Sequence, residues 1–283
     1  MKKNYLYILL LILVFNESVT AQETKDESKK LDKKSSYFKF STSYLTNAVY
    51  NGRKDSVVLP YITPSLGYYD KSGFYISGSL SYLSSSAASR IDLFSLTTGY
   101  DFNVNDKVNG GVYASKDFYT NTSTAVRSES NGSLGGYVSY DPGFITLNGG
   151  INLMFSSQTD VSLNGSLAHS FSYGDEGNSW SITPTFAVNI GTQNYYQDYV
   201  RNKTRKKNGN TGIVQVQQNK FGILDYELSL PIAYDAKKWG LFLTPTYAIP
   251  QNPISYTAPG GNIFVAEKFD NVFYAEFGVY LKF

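Results

Sequence analysis

Cysteine is absent from the 283-residue sequence, and histidine occurs once. The first absence excludes a disulfide framework, thiolate zinc sites, a thiol nucleophile and a cysteine-borne lipid anchor. The second removes most histidine-based metal clusters, so no metal site and no cofactor is expected. Charge is scarce too: 17% of residues are charged, against about 25% in an average globular protein. The formal net charge of +2 offers no basic surplus for nucleic acid, which is not expected as a partner. Past residue 21 there is no run of about 18 apolar residues, so no transmembrane helix is predicted. What the chain has in quantity is tyrosine (25), glycine (24) and phenylalanine (18), with 42% hydrophobic residues in all. That is too much apolar surface for a disordered chain, and the mixture suits many strands.

The first residues carry an address. Lys2 and Lys3 precede an unbroken apolar run from Leu6 to Phe15, and Val19-Thr20-Ala21 places compact residues where a signal peptidase reads. Residues 1–21 are therefore predicted to be a secretory signal peptide, cleaved after Ala21. Residues 22–36 mix acidic and basic side chains with almost nothing apolar. A segment that buries nothing cannot offset its ordering entropy, so a flexible periplasmic tail is expected there. The folded body is 37–283.

From Tyr37 onward the hydrophobic period is two. Phe273, Ala275, Phe277, Val279, Leu281 and Phe283 share one parity, and Tyr274, Glu276, Gly278, Tyr280 and Lys282 the other. The same alternation sets Leu224, Tyr226, Leu228, Leu230, Ile232 and Tyr234 against Asp225, Glu227 and Ser229. Strands are expected near 37–48, 59–70, 73–83, 90–103, 107–119, 131–141, 143–155, 160–173, 178–190, 220–235, 239–249 and 271–283. Proline falls on the apolar parity at 64, 184 and 245, where bulges are expected and inward assignments can slip by one.

The connections sort by length. Tight turns follow the even strands: Asp70-Lys71-Ser72-Gly73, Asn103-Val104-Asn105-Asp106, Asp141-Pro142-Gly143, Gly174-Asp175-Glu176-Gly177 and Asp235-Ala236-Lys237-Lys238. Mostly longer linkers follow the odd strands, at 49–58, 84–89, 120–130, 191–219 and 250–270, with 156–159 the short exception. A soluble sandwich has no reason to sort its loops this way, whereas a membrane-spanning barrel does. The fold predicted is all-β: a transmembrane antiparallel up-and-down β-barrel of about 12 strands, with short periplasmic turns and long extracellular loops. Tyrosine leads into each short turn. Tyr68, Tyr100, Tyr140, Tyr173 and Tyr234 take the apolar parity there and are predicted to form a periplasmic aromatic girdle.

The chain ends Glu276-Phe277-Gly278-Val279-Tyr280-Leu281-Lys282-Phe283. With Glu276, Gly278, Leu281 and Phe283 in the defining places, this resembles the C-terminal assembly signal of bacterial outer-membrane β-barrel proteins. The resemblance covers 37–283 as architecture and these eight residues as a motif. It implies an outer-membrane location, contact with outer-membrane lipids and lipopolysaccharide, and recognition of the last strand by the barrel assembly machinery. The Tyr- and Asn-rich style, with Gln22 following the signal peptide, is similar to small barrels of Bacteroidota.

Candidate chemistry is thin. His169 takes the lipid parity, as does a wall histidine of outer-membrane phospholipases, but the serine expected two residues later is Phe171. His169 is therefore expected to be interfacial and non-catalytic. Lys39, Asp225, Glu227, Glu276 and Lys282 take the lumen parity, where charge escapes a cost of about 2–4 kcal/mol on the lipid face. Asp225 and Glu227 lie about 6.6–7 Å apart by strand rise, inside the spacing of inverting glycosidases. Nothing else points to hydrolysis, so lumenal ion pairs with Lys39 and Lys282, or wetting of a pore, are expected instead. Arg201, Lys203, Arg205, Lys206 and Lys207 form a basic extracellular loop suited to lipopolysaccharide phosphates or to drawing in an anionic solute.

Many inward positions are small and polar, among them Ser77, Ser79, Ser81, Asn148, Asn152, Ser162, Asn164 and Ser166. Tyr61, Tyr75, Tyr113, Tyr137, Tyr274 and Tyr280 share that face and are expected to narrow or plug the bore. No enzyme is expected. The function expected is a narrow porin-like channel for small hydrophilic solutes. The alternative is a non-conducting accessory subunit of a larger outer-membrane complex.

Overall fold

The computed structural model describes residues 35–85, 88–128, 130–175, 177–199, 215–216, 221–253, 255–257, 263–265 and 270–283. The predicted signal peptide, residues 22–34 of the predicted tail and the basic residues Arg201, Lys203, Arg205, Lys206 and Lys207 lie outside the described residues.

A peptide group left unpaired in hydrocarbon costs several kcal/mol, which permits only a closed sheet. Alternating residues supply the staves. They are β1 (Tyr37–Leu45), β2 (Tyr61–Tyr69), β3 (Phe74–Ser85), β4 (Ala88–Asn105), β5 (Val108–Tyr119) and β6 (Gly132–Tyr140). Then come β7 (Thr146–Phe155), β8 (Thr159–Ala168, continued by Phe171–Asp175) and β9 (Asn178–Ile182, continued by Thr185–Gly191). The last are β10 (Gly222–Ser229, continued by Ile232–Ala236), β11 (Trp239–Pro250) and β12 (Val272–Lys282). Each pairs antiparallel with its sequence neighbours. β12 also pairs with β1, Lys39 opposite Lys282 and Leu45 opposite Glu276, and the barrel closes.

The burial pattern is inverted relative to a soluble protein. Phe40, Leu66, Ile76, Leu96, Ile151, Leu228 and Phe277 are 39–56% exposed on the outer face. Asn152, Asn189 and Asp225 are buried inside. Among the described residues no helix is long and apolar enough to cross a membrane. The short turns are built on side-chain acceptors. Asp70 Oδ1 takes the Ser72 amide at 2.9 Å, Asn105 Oδ1 takes Lys107 and Val108 at 2.9 Å, and Asp141 Oδ1 takes Gly143 at 2.8 Å. Bonds from Ser72, Ser36 and Tyr68 hold the Asp70 carboxyl well below the usual carboxylate range.

Three expectations need correction. The connection predicted long at 84–89 is tight, because β3 and β4 run on to Ser85 and Ala88. The prolines behave differently from the bulges expected of them. Pro245 sits in unbroken β11 opposite Ala275, and the strand breaks fall at 169–170, 183–184 and 230–231 in three adjacent strands. Each break is two residues long, so parity persists: Ile182 and Phe186, either side of Pro184, both face outward. Proline carbonyls stitch this row, accepting His169 N at 3.2 Å (Pro184), Thr183 N at 2.8 Å (Pro231) and Leu230 N at 3.0 Å (Pro245). True register shifts lie elsewhere: one at Asn103/Asn105 beside a short turn, and two opposite Ser81/Tyr82 and Asn189/Ile190. The last two insert Asp92 and Leu224, and the extra residue turns to the inner face. Leu224, predicted on the outer face, is accordingly 0% exposed inside the barrel.

The inward aromatics are the third correction. Tyr75, Tyr113, Tyr137, Phe242 and Tyr280 each stand directly opposite a glycine of the next strand: Gly99, Gly135, Gly111, Gly278 and Gly240. The rings fold across those glycines. A Cβ at Gly99, Gly135 or Gly240 would lie 2.3–2.4 Å from the facing tyrosine hydroxyl. These rings therefore lie against the wall, an inside-out use of the pairing that rescues glycine in sheets, whereas Tyr61 and Tyr274 of the same predicted set stand opposite Leu83 and Thr246. Gly135→Val is expected to cost about 1–3 kcal/mol by overpacking against Tyr113. The temperature at which the folded band disappears on an unheated gel should drop; an unchanged temperature would refute the ring seating.

Candidate functional site: the lumen and its outer mouth

At the long-loop end the connection 46–60 turns inward. Its neck is pinned by Leu59 N on Asn47 Oδ1 and Ala48 N on Leu59 O, both at 2.9 Å. Beyond the neck, Val49–Tyr50 pairs with Arg53–Lys54 in a miniature hairpin. Its turn is Asn51-Gly52, with φ of 48° and 70°. Positive φ at both central residues is the type I′ arrangement that Asn-Gly favours. The tip is buried, with Arg53 only 1% exposed. A Cβ on Gly52 would come within 3.0 Å of both Pro250 and Asp225.

Arg53 carries the seat of this hairpin. Its Nε and Nη2 donate to Gln193 Oε1 at 3.2 and 2.7 Å. Nη1 donates to the carbonyls of Asn51 at 3.1 Å and Leu224 at 3.0 Å, and Nη2 to those of Gln251 at 2.7 Å and Asn252 at 3.2 Å. One guanidinium thus ties the hairpin to the end of β9, the bulge of β10 and the exit of β11. Its fork of five donors suits this role better than a lysine would. Burial pushes its pKa down, opposed by Tyr195, Tyr196 and Asp225 nearby.

Two other connections complete the closure. Tyr50 meets the Tyr195 ring edge-on at 5.2 Å, and the Arg127 guanidinium lies 4.6 Å over Tyr50 while contacting Asp117 at 3.7 Å. Tyr50, Val126, Met154, Tyr195, Tyr196 and Tyr199 form one buried apolar cluster. Tyr195 and its neighbours lie on a single helical turn, 194–199, whose first amides are taken by Asp160. Asp160 accepts Asn194 N at 2.6 Å, Tyr195 N at 2.8 Å and Thr192 Oγ1 at 2.7 Å, an anion placed where helix amides are free. Asp92 anchors the opposite side, accepting from Tyr61, from Ser123 at 2.7 Å and from Arg90 at 2.8 Å. A cavity of about 30 Å³ remains among Tyr50, Tyr61, Tyr119, Val126 and Arg127, room for water only.

Below this cap the inner wall is polar; on β1 to β5 much of it is half-buried, while Ser139, Asn152, Ser162, Asn164, Ser181 and Thr183 around the rest of the ring are buried. Ser41, Ser43, Ser65, Ser77, Ser79, Ser95, Thr97 and Ser115 all face an accessible interior. Ser41 and Ser65 share a bond of 2.6 Å across β1 and β2, and Ser115 and Ser133 one of 2.8 Å across β5 and β6. Along the other wall Asn164 donates to Asn189 and Asn189 to Asp225, each at 2.6 Å. Tyr274 donates to Glu227 at 3.1 Å.

The predicted lumen charges all face inward, but not together. Asp225 and Glu227 lie at the long-loop end, near Pro250 and Ala248. Lys39 and Lys282 lie opposite each other at the short-turn end, with their ammonium groups 4.6 and 5.0 Å from the Tyr280 ring. Glu276 is between the two groups, opposite Thr244 and Leu45. The expected lumenal ion pairs between the lysines and Asp225 or Glu227 are thus excluded by strand level. Gly278 and Leu281 lie on β12, and Phe283 ends the chain with its amide on Phe38 O at 2.9 Å.

At the short-turn end Tyr100, Tyr140 and Tyr173 stand outward, and Tyr68 packs 5.1 Å from Phe38. Tyr234 lies between Trp180 and Trp239, at 5.0 and 5.3 Å, two tryptophans absent from the sequence-based set. His169 Nδ1 is 2.7 Å from the Phe144 carbonyl, and its ring meets Phe171 edge-on at 4.5 Å. The mouth hairpin was the element missed. Asn51-Gly52 between Val49-Tyr50 and Arg53-Lys54 was its signal.

No family model matches the chain, and no curated protein does. Among solved structures it is similar to the KdgM porin, with TM-score 0.47 and 9% identity over 87% of this chain and 99% of that one. An outer membrane channel from Pseudomonas putida F1 gives 0.42 and 11%, over 88% and 94%. An anion-selective porin from Comamonas acidovorans gives 0.23 and 9%, over 88% and 98%. These are distant likenesses of fold. With its closed ring and apolar outer face, the chain is a β-barrel of the outer-membrane type.

Replacing Asp160 by alanine strips three donors of their acceptor. A charge-assisted bond contributes about 1.5–3 kcal/mol, so exchange of the Asn194 and Tyr195 amides should quicken at least tenfold. Unchanged exchange would mean that the helical turn is held by its tyrosines alone.

Proposed function

We propose that this protein is a narrow channel for small hydrophilic solutes in the bacterial outer membrane. The observation that carries this reading is the hydroxyl-lined interior below the cap. Ser41, Ser65, Ser77, Ser79 and Ser95 are half-buried there, and Tyr75, Tyr113, Tyr137 and Tyr280 lie folded over glycines. A barrel of twelve strands is wide enough for such a passage, between the side-chain-filled eight and the open sixteen. The outer aromatic and aliphatic band contacts lipid, with Tyr68, Tyr100, Tyr140, Tyr173 and Tyr234 at the periplasmic interface. Lipopolysaccharide meets the basic residues at 201–207, and the barrel assembly machinery reads Glu276, Gly278, Leu281 and Phe283. Export uses the signal peptide at 1–21.

One observation favours the accessory alternative: the outer mouth is packed with buried tyrosines and arginines. A closed scaffold would serve a larger complex through its loops or its lipid face. Planar-bilayer recording of the purified, refolded protein separates the two. A channel gives discrete conductance steps that Ser79→Trp, aimed into the bore, reduces severalfold. Silence of a folded barrel, persisting after residues 49–54 are replaced by a short glycine linker, would overturn transport and leave the scaffold.

A further inference from the structure

We propose that the hairpin 49–54 is the outer gate of this channel and that Arg53 is its latch. The inference rests on the channel reading above and adds its regulation. Among the described residues the hairpin ladders only with itself, Val49 with Lys54 and Tyr50 with Arg53, and contributes nothing to the barrel ladders. It hangs from a two-bond neck at Asn47, Ala48 and Leu59. It can therefore leave its seat as a unit without disturbing a single wall bond.

What keeps it seated is concentrated in a few contacts. Arg53 reaches Gln193, Leu224, Gln251 and Asn252, which belong to three separate parts of the far wall. Gly52 fits flush against Pro250 and Asp225, where no other residue fits. Tyr50 packs on Tyr195 and under Arg127. Four of the Arg53 acceptors are backbone carbonyls, counting that of Asn51 within the hairpin. Such acceptors are neutral, and water can replace the guanidinium at each of them. The seat is thus specific in shape, and these four acceptors are ones that water can serve when the hairpin leaves. Because the hairpin lies at the mouth above the serine-lined bore, packed with Val126 and the Tyr195 turn, its departure removes one of the segments that close the outer entrance and widens it.

Single-channel recording of four folded proteins tests this: wild type, Arg53→Ala, Gly52→Val and the chain with 49–54 replaced by a glycine linker. Gly52→Val keeps the arginine but wedges the tip against Pro250. Lys54→Ala, one residue along, is the control and should behave as wild type. Folding of each is checked by its unheated gel band. The gate predicts mostly closed wild-type records, and at least a tenfold rise in open time for Arg53→Ala and Gly52→Val. The linker protein should stay open. Equal, steady conductance in all of them would overturn the gate while leaving the channel intact. Silence in all, the linker protein included, would overturn both. If Arg53→Ala fails to fold, Gly52→Val and the linker protein decide the matter alone.

Discussion

A peptide group without a partner in hydrocarbon is so unfavourable that a spanning sheet has to close, and the other features of this molecule follow from that closure. With β1 against β12 the ring closes, although the continuation of β8, Phe171–Asp175, pairs on one side alone. Closure leaves two faces in unlike solvents, which forces the period of two and its inverted sense, phenylalanine outward and serine or asparagine inward. It also decides where irregularity is tolerated. Three neighbouring strands break at one level, yet proline carbonyls bridge the row and the two-residue breaks keep the faces in phase.

The inner surface then has to satisfy its own polar groups and keep its volume in check. Aromatic residues opposite glycines do the second, since each ring occupies the space a neighbour's side chain would have used. Paired hydroxyls do the first along the wall, and carboxylates with several donors do it near the mouth. Asp92, Asp117 and Asp160 are each fixed by hydroxyl, amide or guanidinium donors, so they serve as anchors for loops rather than as free charge in the bore.

Strand number, facing and the short inner turns were legible because they depend on near neighbours in sequence. Asp70 and Asp141 cap their own turns, and Phe273 to Phe283 alternate whatever lies beside them. The bulges at Asp92 and Leu224 were not legible, because a bulge is a mismatch between two strands and one strand alone has no register. The proline row needed Pro231, which lies off the parity that drew attention to Pro184 and Pro245. Tyrosine folded over glycine was hidden for a similar reason: Tyr113 and Gly135 are opposite only after β5 and β6 pair. At the mouth, Asn51-Gly52 did announce a hairpin, but its burial follows from acceptors more than a hundred residues away, at Gln193, Leu224 and Gln251.

The pairing of β1 with β12 also bears on timing. These strands are the earliest and latest parts of the barrel to be made, and their contacts have the longest loop in the molecule to close. Until residues 272–282 are present, the sheet has two raw edges, and a raw edge is a template for the wrong partner. No shorter portion of the chain is a smaller barrel; it is an open, sticky ribbon. The ring is complete only when the last strand reaches the first, which makes closure a late and cooperative event in folding.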